Sequence, residues 1–126
     1  RGVTLLHELH QRDISVALAS DNCRDPFYAY GDHDGLDVFK QSVRIGHLDR
    51  PFSHWHRRLT RRPAQLMGLE NVGSLRPDSA ANLICFKART LNELVARIQC
   101  DRVVLRQGKQ INTTLPDYSE LDTWVS

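Results

Sequence analysis

The run Ile14-Ser15-Val16-Ala17-Leu18-Ala19 constrains what this chain can fold into more than any other feature. It is too short for a stable helix, and its apolar residues are nearly continuous rather than alternating. That pattern suits a strand buried on both faces, as in a parallel sheet. Thr4 to Arg12, just before it, predicts a helix with Thr4 as N-cap and Leu5, Leu6 and Leu9 on one apolar stripe. Asp13 ends that helix. A helix feeding a doubly buried strand is the unit of α/β folds. A lone strand of this kind has no neighbour to pair with, so the run points beyond itself to other strands.

From Ser20 to Asp32 the chain turns polar and aromatic, punctuated by Pro26 and Gly31. This predicts a long loop leaving the C-terminal end of the strand, the place where α/β barrels carry their catalytic groups. Asp34 to His47 predicts a helix with Leu36, Phe39 and Val43 on one face, interrupted at Pro51. A second, strongly basic helical stretch runs from Ser53 to Met67. The texture changes near Gly68. Gly73 to Phe86 reads as a turn and then a strand, and Thr90-Leu91-Asn92-Glu93 as a capping-box-like helix start leading to Arg97. Val103 to Leu105, Gln107-Gly108-Lys109 and Ile111 suggest a hairpin with a glycine turn. From Thr113 the tail reads as irregular.

Several classes of function are disfavoured by simple counts. The 126 residues carry a formal net charge of +2, too little to argue for a nucleic-acid partner. No apolar run approaches the ~18 residues of a membrane span. Cys23, Cys85 and Cys100 are widely spaced and form no C-x-x-C pair, which argues against a disulfide framework or a cysteine zinc site and suits a reducing cytoplasm. The first residues hold charges at helical spacing and no signal-peptide core. Arg1 in place of a starting Met reads as an internal cut.

Three motifs together bring a family into view. Ala19-Ser20-Asp21-Asn22, then Asp25-Pro26-Phe27-Tyr28 and Gly31, resembles the eighth-strand segment of cytosine deaminases in the metal-dependent amidohydrolase superfamily, roughly G-H-D-D-x-x-D-P-W-Y-x-x-G. Gly73-Ser74-Leu75-Arg76-Pro77, followed by Ala80-Ala81-Asn82-Leu83, resembles the superfamily's C-terminal G-x-L-x-P-G-x-x-A-D-L. Arg102 to Lys109 resembles the strand pair that follows it. The motifs come in family order and span almost the whole chain. The resemblance implies an α/β architecture: residues 1–62 as the last strand and helices of a (β/α)8 barrel, and residues 63–126 as part of the small flanking β-sandwich.

The resemblance also implies a chemistry. Amidohydrolases cleave C–N bonds with a water activated by Zn2+ or Fe2+, which lowers the water pKa from ~16 toward ~7. A carboxylate beside the metal takes the water proton and returns it to the leaving nitrogen. Asp21 matches that aspartate, as proton shuttle and metal ligand. Read from spacing alone, Asp21 is first of all an aspartate capping the loop by an Asx-turn, and it is the resemblance that favours the catalytic reading. Asn22 stands where the family has a second aspartate near the ring, and Phe27 where it has a tryptophan that shapes the pocket. Both are expected to contact the substrate, a small cyclic amide or amidine. Phe27 also reads as a loop anchor buried beneath the rim, and Asp25 before Pro26 as the start of a turn. Ser20 replaces the family's histidine, and Asp78 and Asn82 replace its Gly and Asp at structural positions. The family's H-x-H and other histidines have no counterpart here, and a catalytic zinc takes at least three protein ligands. The isolated chain is therefore expected to be inactive and to need the missing N-terminal part of the barrel.

Other patterns compete with this reading. His54-Trp55-His56 is literally H-x-H, but it lies in a helical stretch beside Arg57 and Arg58, where i and i+2 diverge and cations repel a metal. Arg57, Arg58, Arg61 and Arg62 near Trp55 support an alternative, a catalytically inactive paralogue or fragment that binds an anionic partner through a basic helix. Apolar surface left by absent strands would favour self-association into a homo-oligomer. Cys23 and His33 could be drawn as nucleophile and base. The H-x-E and P-C-x-x-C signatures of zinc nucleoside deaminases do not occur.

Overall fold

The computed structural model describes residues 2–52 and 54–125. The chain divides into two compact units, Arg1–Ser79 and Ala80–Ser126. None of the described helices is long and apolar enough to cross a membrane.

The first unit is helical. Helix α1 (Leu6–Gln11) is shorter than the Thr4 to Arg12 predicted, and Leu5 rather than Thr4 takes the cap position, without a side-chain bond. Thr4 instead offers its carbonyl to the Leu6 N–H at 2.8 Å. Helix α2 (Gly35–Gly46) matches its prediction closely. Asp34 caps it by accepting the Leu36 N–H at 2.9 Å, and His47 ends it in the left-handed conformation. The Leu48 N–H then reaches back to the Val43 carbonyl at 3.1 Å, the six-to-one bond of a Schellman motif. That closure turns Leu48 inward, where it is fully buried.

The basic stretch is not one helix. A 3-10 turn (Trp55–Arg58) is followed, after Leu59 and Thr60, by α3 (Arg61–Leu66). Pro63 sits in the first turn of α3, where its missing N–H costs no helical bond. Ser53, where this stretch was expected to begin, lies outside the described residues. Leu6, Phe39, Leu48, Trp55 and Ala64 make up the buried apolar core.

The run from Ile14 to Ala19 does not form a β-strand. A strand exists only by pairing, and the described residues supply no neighbouring strand. Its polar groups are met in part by one arginine: the Leu18 N–H donates to the Arg58 carbonyl at 2.9 Å, and the Arg58 guanidinium to the Val16 carbonyl at 3.1 Å. Ile14 is correspondingly half exposed.

The second unit holds a three-stranded antiparallel sheet in the order β1-β2-β3, with β1 (Leu83–Cys85), β2 (Val103–Arg106) and β3 (Lys109–Gln110). Leu83 faces Leu105, and Arg106 faces Lys109. Gln107 and Gly108 have φ of 51° and 77°, the two left-handed residues of a type I′ hairpin turn. The turn is pinned from outside: Asn82 Oδ1 accepts the Gln107 N–H at 2.8 Å, and the Ala81 carbonyl accepts the Gly108 N–H at 3.0 Å. Helix α4 (Leu91–Ala96) starts at Thr90, whose hydroxyl accepts the Glu93 N–H at 3.1 Å. Glu93 reaches back one residue further than a capping box would, to the Arg89 N–H at 3.2 Å. The tail is not wholly irregular, since a 3-10 turn (Tyr118–Leu121) leads into α5 (Asp122–Val125). Among the described residues this sheet is single, one layer of what a sandwich needs.

Candidate functional site

The loop after Ala19 is organised by Asp25. Its Oδ1 accepts the N–H groups of Phe27 at 2.8 Å and Tyr28 at 3.0 Å, an Asx-turn ahead of Pro26. Its Oδ2 accepts the Cys23 N–H at 3.1 Å and the Asn22 side-chain amide at 2.9 Å. The Asn22 amide first, and the three backbone donors with it, hold the Asp25 carboxyl below the usual aspartate range. Asp25 is thus the turn residue the sequence suggested, with both oxygens engaged.

Arg24 latches the far side of the loop. Its Nε donates to the Gly31 carbonyl at 3.1 Å, and its Nη2 pairs with Asp32 at 2.7 Å. Both ends of that ion pair are half exposed, so it orients more than it stabilises. Gly31, at φ 94°, lets the chain pass the Cys23 sulfur. The Ser20 hydroxyl and His33 Nδ1 meet at 3.1 Å and close the base of the loop. His33 Nδ1 therefore has Ser20 as its partner, and among the described residues no hydrogen bond joins Cys23 and His33, the pair drawn from the sequence. The latch from Arg24 to Asp32 was missed. Opposite charges at the two ends of one loop were its only signal, and charge spacing alone does not say which pairs will close.

Asp21 stands at the entrance of this loop with φ of 58°, a left-handed conformation that aspartate tolerates better than most residues. Its side chain is exposed. Among the described residues nothing hydrogen-bonds or ion-pairs with its carboxylate. The Asx-turn that could have claimed Asp21 is made by Asp25 instead. Asn22 is half-buried and turned toward Asp25. Phe27 is 87% exposed, so it is not the buried anchor that was one expectation for it.

An exposed carboxylate with both oxygens uncommitted fits one place in the donor set of a divalent metal. The described residues contain no group of three His, Cys, Asp or Glu side chains that could complete such a set. His54-Trp55-His56 brings no such group together either. Trp55 is buried, with the His7 and His10 rings each 5.2 Å from it. His56 Nδ1 is buried and has no partner among the described residues, and burial, Arg57 and His54 in that order lower its pKa.

A sequence profile of the Amidohydrolase family matches residues 1–111. A curated pterin deaminase from Rhizobium rhizogenes is 52% identical over 125 residues, covering 99% of this chain and 29% of that protein. The chain thus spans less than a third of the length of the relative it matches. No solved structure matches it significantly.

Proposed function

The chain belongs to the amidohydrolase family, and from that premise we propose that it supplies Asp21 to an enzyme that removes an amino group hydrolytically from a small nitrogen heterocycle. The observation that carries the proposal is the state of Asp21, which alone of the three aspartates in its loop keeps both carboxylate oxygens uncommitted. A carboxylate left exposed at that position serves no packing purpose, while a proton shuttle needs this freedom.

A divalent metal, zinc or iron, supplies when bound the acidity that makes water a nucleophile near neutral pH. Asp21 would provide one oxygen donor to it, and residues from the rest of the barrel the others. The part we assign to Asp21 is to accept the water proton and deliver it to the departing nitrogen. Phe27, at the exposed tip of the same loop, would lie against the flat face of the ring. Asn22 would present its carbonyl oxygen to the substrate while its amide stays on Asp25. In this reading residues 1–62 close a (β/α)8 barrel and residues 63–126 join the flanking β-sandwich.

The relative's name supports a pterin-type ring as the substrate. The departures from the cytosine deaminase pattern at Ser20, Asn22 and Phe27 favour a ring other than cytosine. The test is ammonia release from pterin and from cytosine by a polypeptide carrying this chain together with the remaining strands. Asp21→Ala and Asp21→Asn are expected to lower kcat by about 10²–10⁴, the range for loss of a general acid–base group. Full turnover in Asp21→Ala would overturn the assignment. Turnover of cytosine but not pterin would overturn the ring class alone.

A further inference from the structure

A second feature of the first unit has no part in that reading. Beside Trp55 lies a cleft of about 460 Å³, within the size range of small-molecule sites. Arg50, Arg57, Arg58 and Arg62 line it with His54, and no acidic residue does. Arg58 is only 6% exposed. Its guanidinium is held by neutral partners: the Val16 carbonyl at 3.1 Å, His10 Nδ1 at 3.0 Å, and the Trp55 ring 5.6 Å away. Buried charges in proteins are normally paired with an opposite charge, and among the described residues Arg58 has none. Burial first, then the nearby Arg62, pulls its pKa below the ordinary value. Among the described residues Arg57 makes no ion pair either, and Arg62 meets only the Gln65 side-chain oxygen, at 3.2 Å. Arg50 touches Asp49 loosely, at 3.7 Å in an exposed pair.

We propose that this cleft binds a small multivalent oxyanion, a phosphate or pyrophosphate group free or carried on a small molecule. Guanidinium forks match the oxygens of such a group and donate to it in pairs. The anion supplies the negative charge that the cleft lacks and lies between Arg57 and Arg62, with Arg58 fixed behind them. A nucleic-acid strand fits less well. Trp55 is the floor of the cleft, only 4% exposed, and offers no free face for a base to stack on. The positive charge is also concentrated in one concavity, on a chain whose net charge is only +2.

The experiment follows the fluorescence of Trp55 in the whole chain, with Trp124→Phe removing the only other tryptophan. Inorganic pyrophosphate is titrated at low salt. The expected result is saturable one-to-one binding that weakens as salt is raised. Arg57→Gln and Arg62→Gln should each weaken it about tenfold or more, the size of one lost charge-assisted hydrogen bond. Arg62→Lys should retain more affinity than Arg62→Gln, and Arg89→Gln, in the other unit, should leave binding unchanged. Arg57 and Arg62 are exposed, and circular dichroism of each variant confirms the fold. The proposal is overturned by an unsaturable titration, by Arg57→Gln and Arg62→Gln binding as well as Arg89→Gln, or by a single-stranded oligonucleotide binding where pyrophosphate does not.

Discussion

The Asn22 side-chain amide donates to Asp25 Oδ2 at 2.9 Å, so the residue beside Asp21 is tied inward while Asp21 itself is not. Two adjacent polar residues thus serve opposite ends. Asn22 completes the set of four donors that fixes Asp25, and Asp25 fixes the turn through Phe27 and Tyr28. Outward stand the Asp21 carboxylate and the Phe27 ring, with Tyr28 and Tyr30 exposed beside them.

The loop should answer to pH through Asp25. Its carboxyl is held below the ordinary value of 3.8, so its ordering effect is present above that value and is lost as pH falls through the lower, folded value. The Phe27 and Tyr28 amide resonances should therefore stay constant from neutral pH to about pH 4 and move only below it. An NMR titration with a midpoint at or above 3.8 would contradict the hydrogen-bond scheme. Asp25→Ala should speed hydrogen exchange at the same two amides at neutral pH, where the wild-type carboxylate is ionised.

His56 should report on the 3-10 turn in the same way. Burial, then Arg57 and His54, lowers its pKa from 6.5. The folded state then binds its proton less readily than the unfolded chain. Stability is complete above pH 6.5 and declines as pH falls through the folded-state value. Thermal unfolding between pH 8 and 5 checks the direction. Arg57→Gln should raise the His56 midpoint without bringing it to 6.5, because burial, the largest cause, remains.

Gly73 should be the least replaceable glycine of the first unit. Its φ is +76°, and an added Cβ would sit 2.6 Å from the Thr60 carbonyl oxygen and 3.0 Å from the Ala64 Cβ. Backbone cannot yield as a flexible side chain does. Gly73→Ala is expected to cost about 2–3 kcal/mol in urea unfolding. Gly68→Ala, at φ +66° with open space around it, should cost about 1 kcal/mol. Equal costs would mean that the contact with Thr60 relaxes freely.

The most legible parts of the fold were those whose signals are local. The apolar face of α2, the Thr90 cap and the Gln107-Gly108 turn each depend on a few neighbouring residues, and each formed where the sequence placed it. Ile14 to Ala19 failed for the opposite reason: its composition asks for a strand, but a strand is a relation between two segments. The basic stretch broke at Leu59 and Thr60 because Arg58 is drawn into the interior toward Val16 and His10, a pull no period along the chain reveals. In the candidate site, Asp21, Asn22 and Asp25 could be picked out by motif. Pro26 also marked Asp25 as a turn residue, but nothing in the sequence showed that Asp21 would be spared the Asx-turn it too could have closed.

The double tie from Ala81 and Asn82 to the turn at Gln107 and Gly108 has a consequence for how the second unit assembles. The hairpin from Val103 to Gln110 needs only a two-residue reversal to form, and hairpins of that kind close in about 1–10 μs. Asn82, just ahead of β1, lies 25 residues before Gln107 in the turn. The hairpin is therefore expected to come first and to act as a ready-made template, its turn amides capturing Ala81 and Asn82. That capture sets Leu83 opposite Leu105, so the slow, entropically costly step is a single docking event whose alignment the turn has already decided.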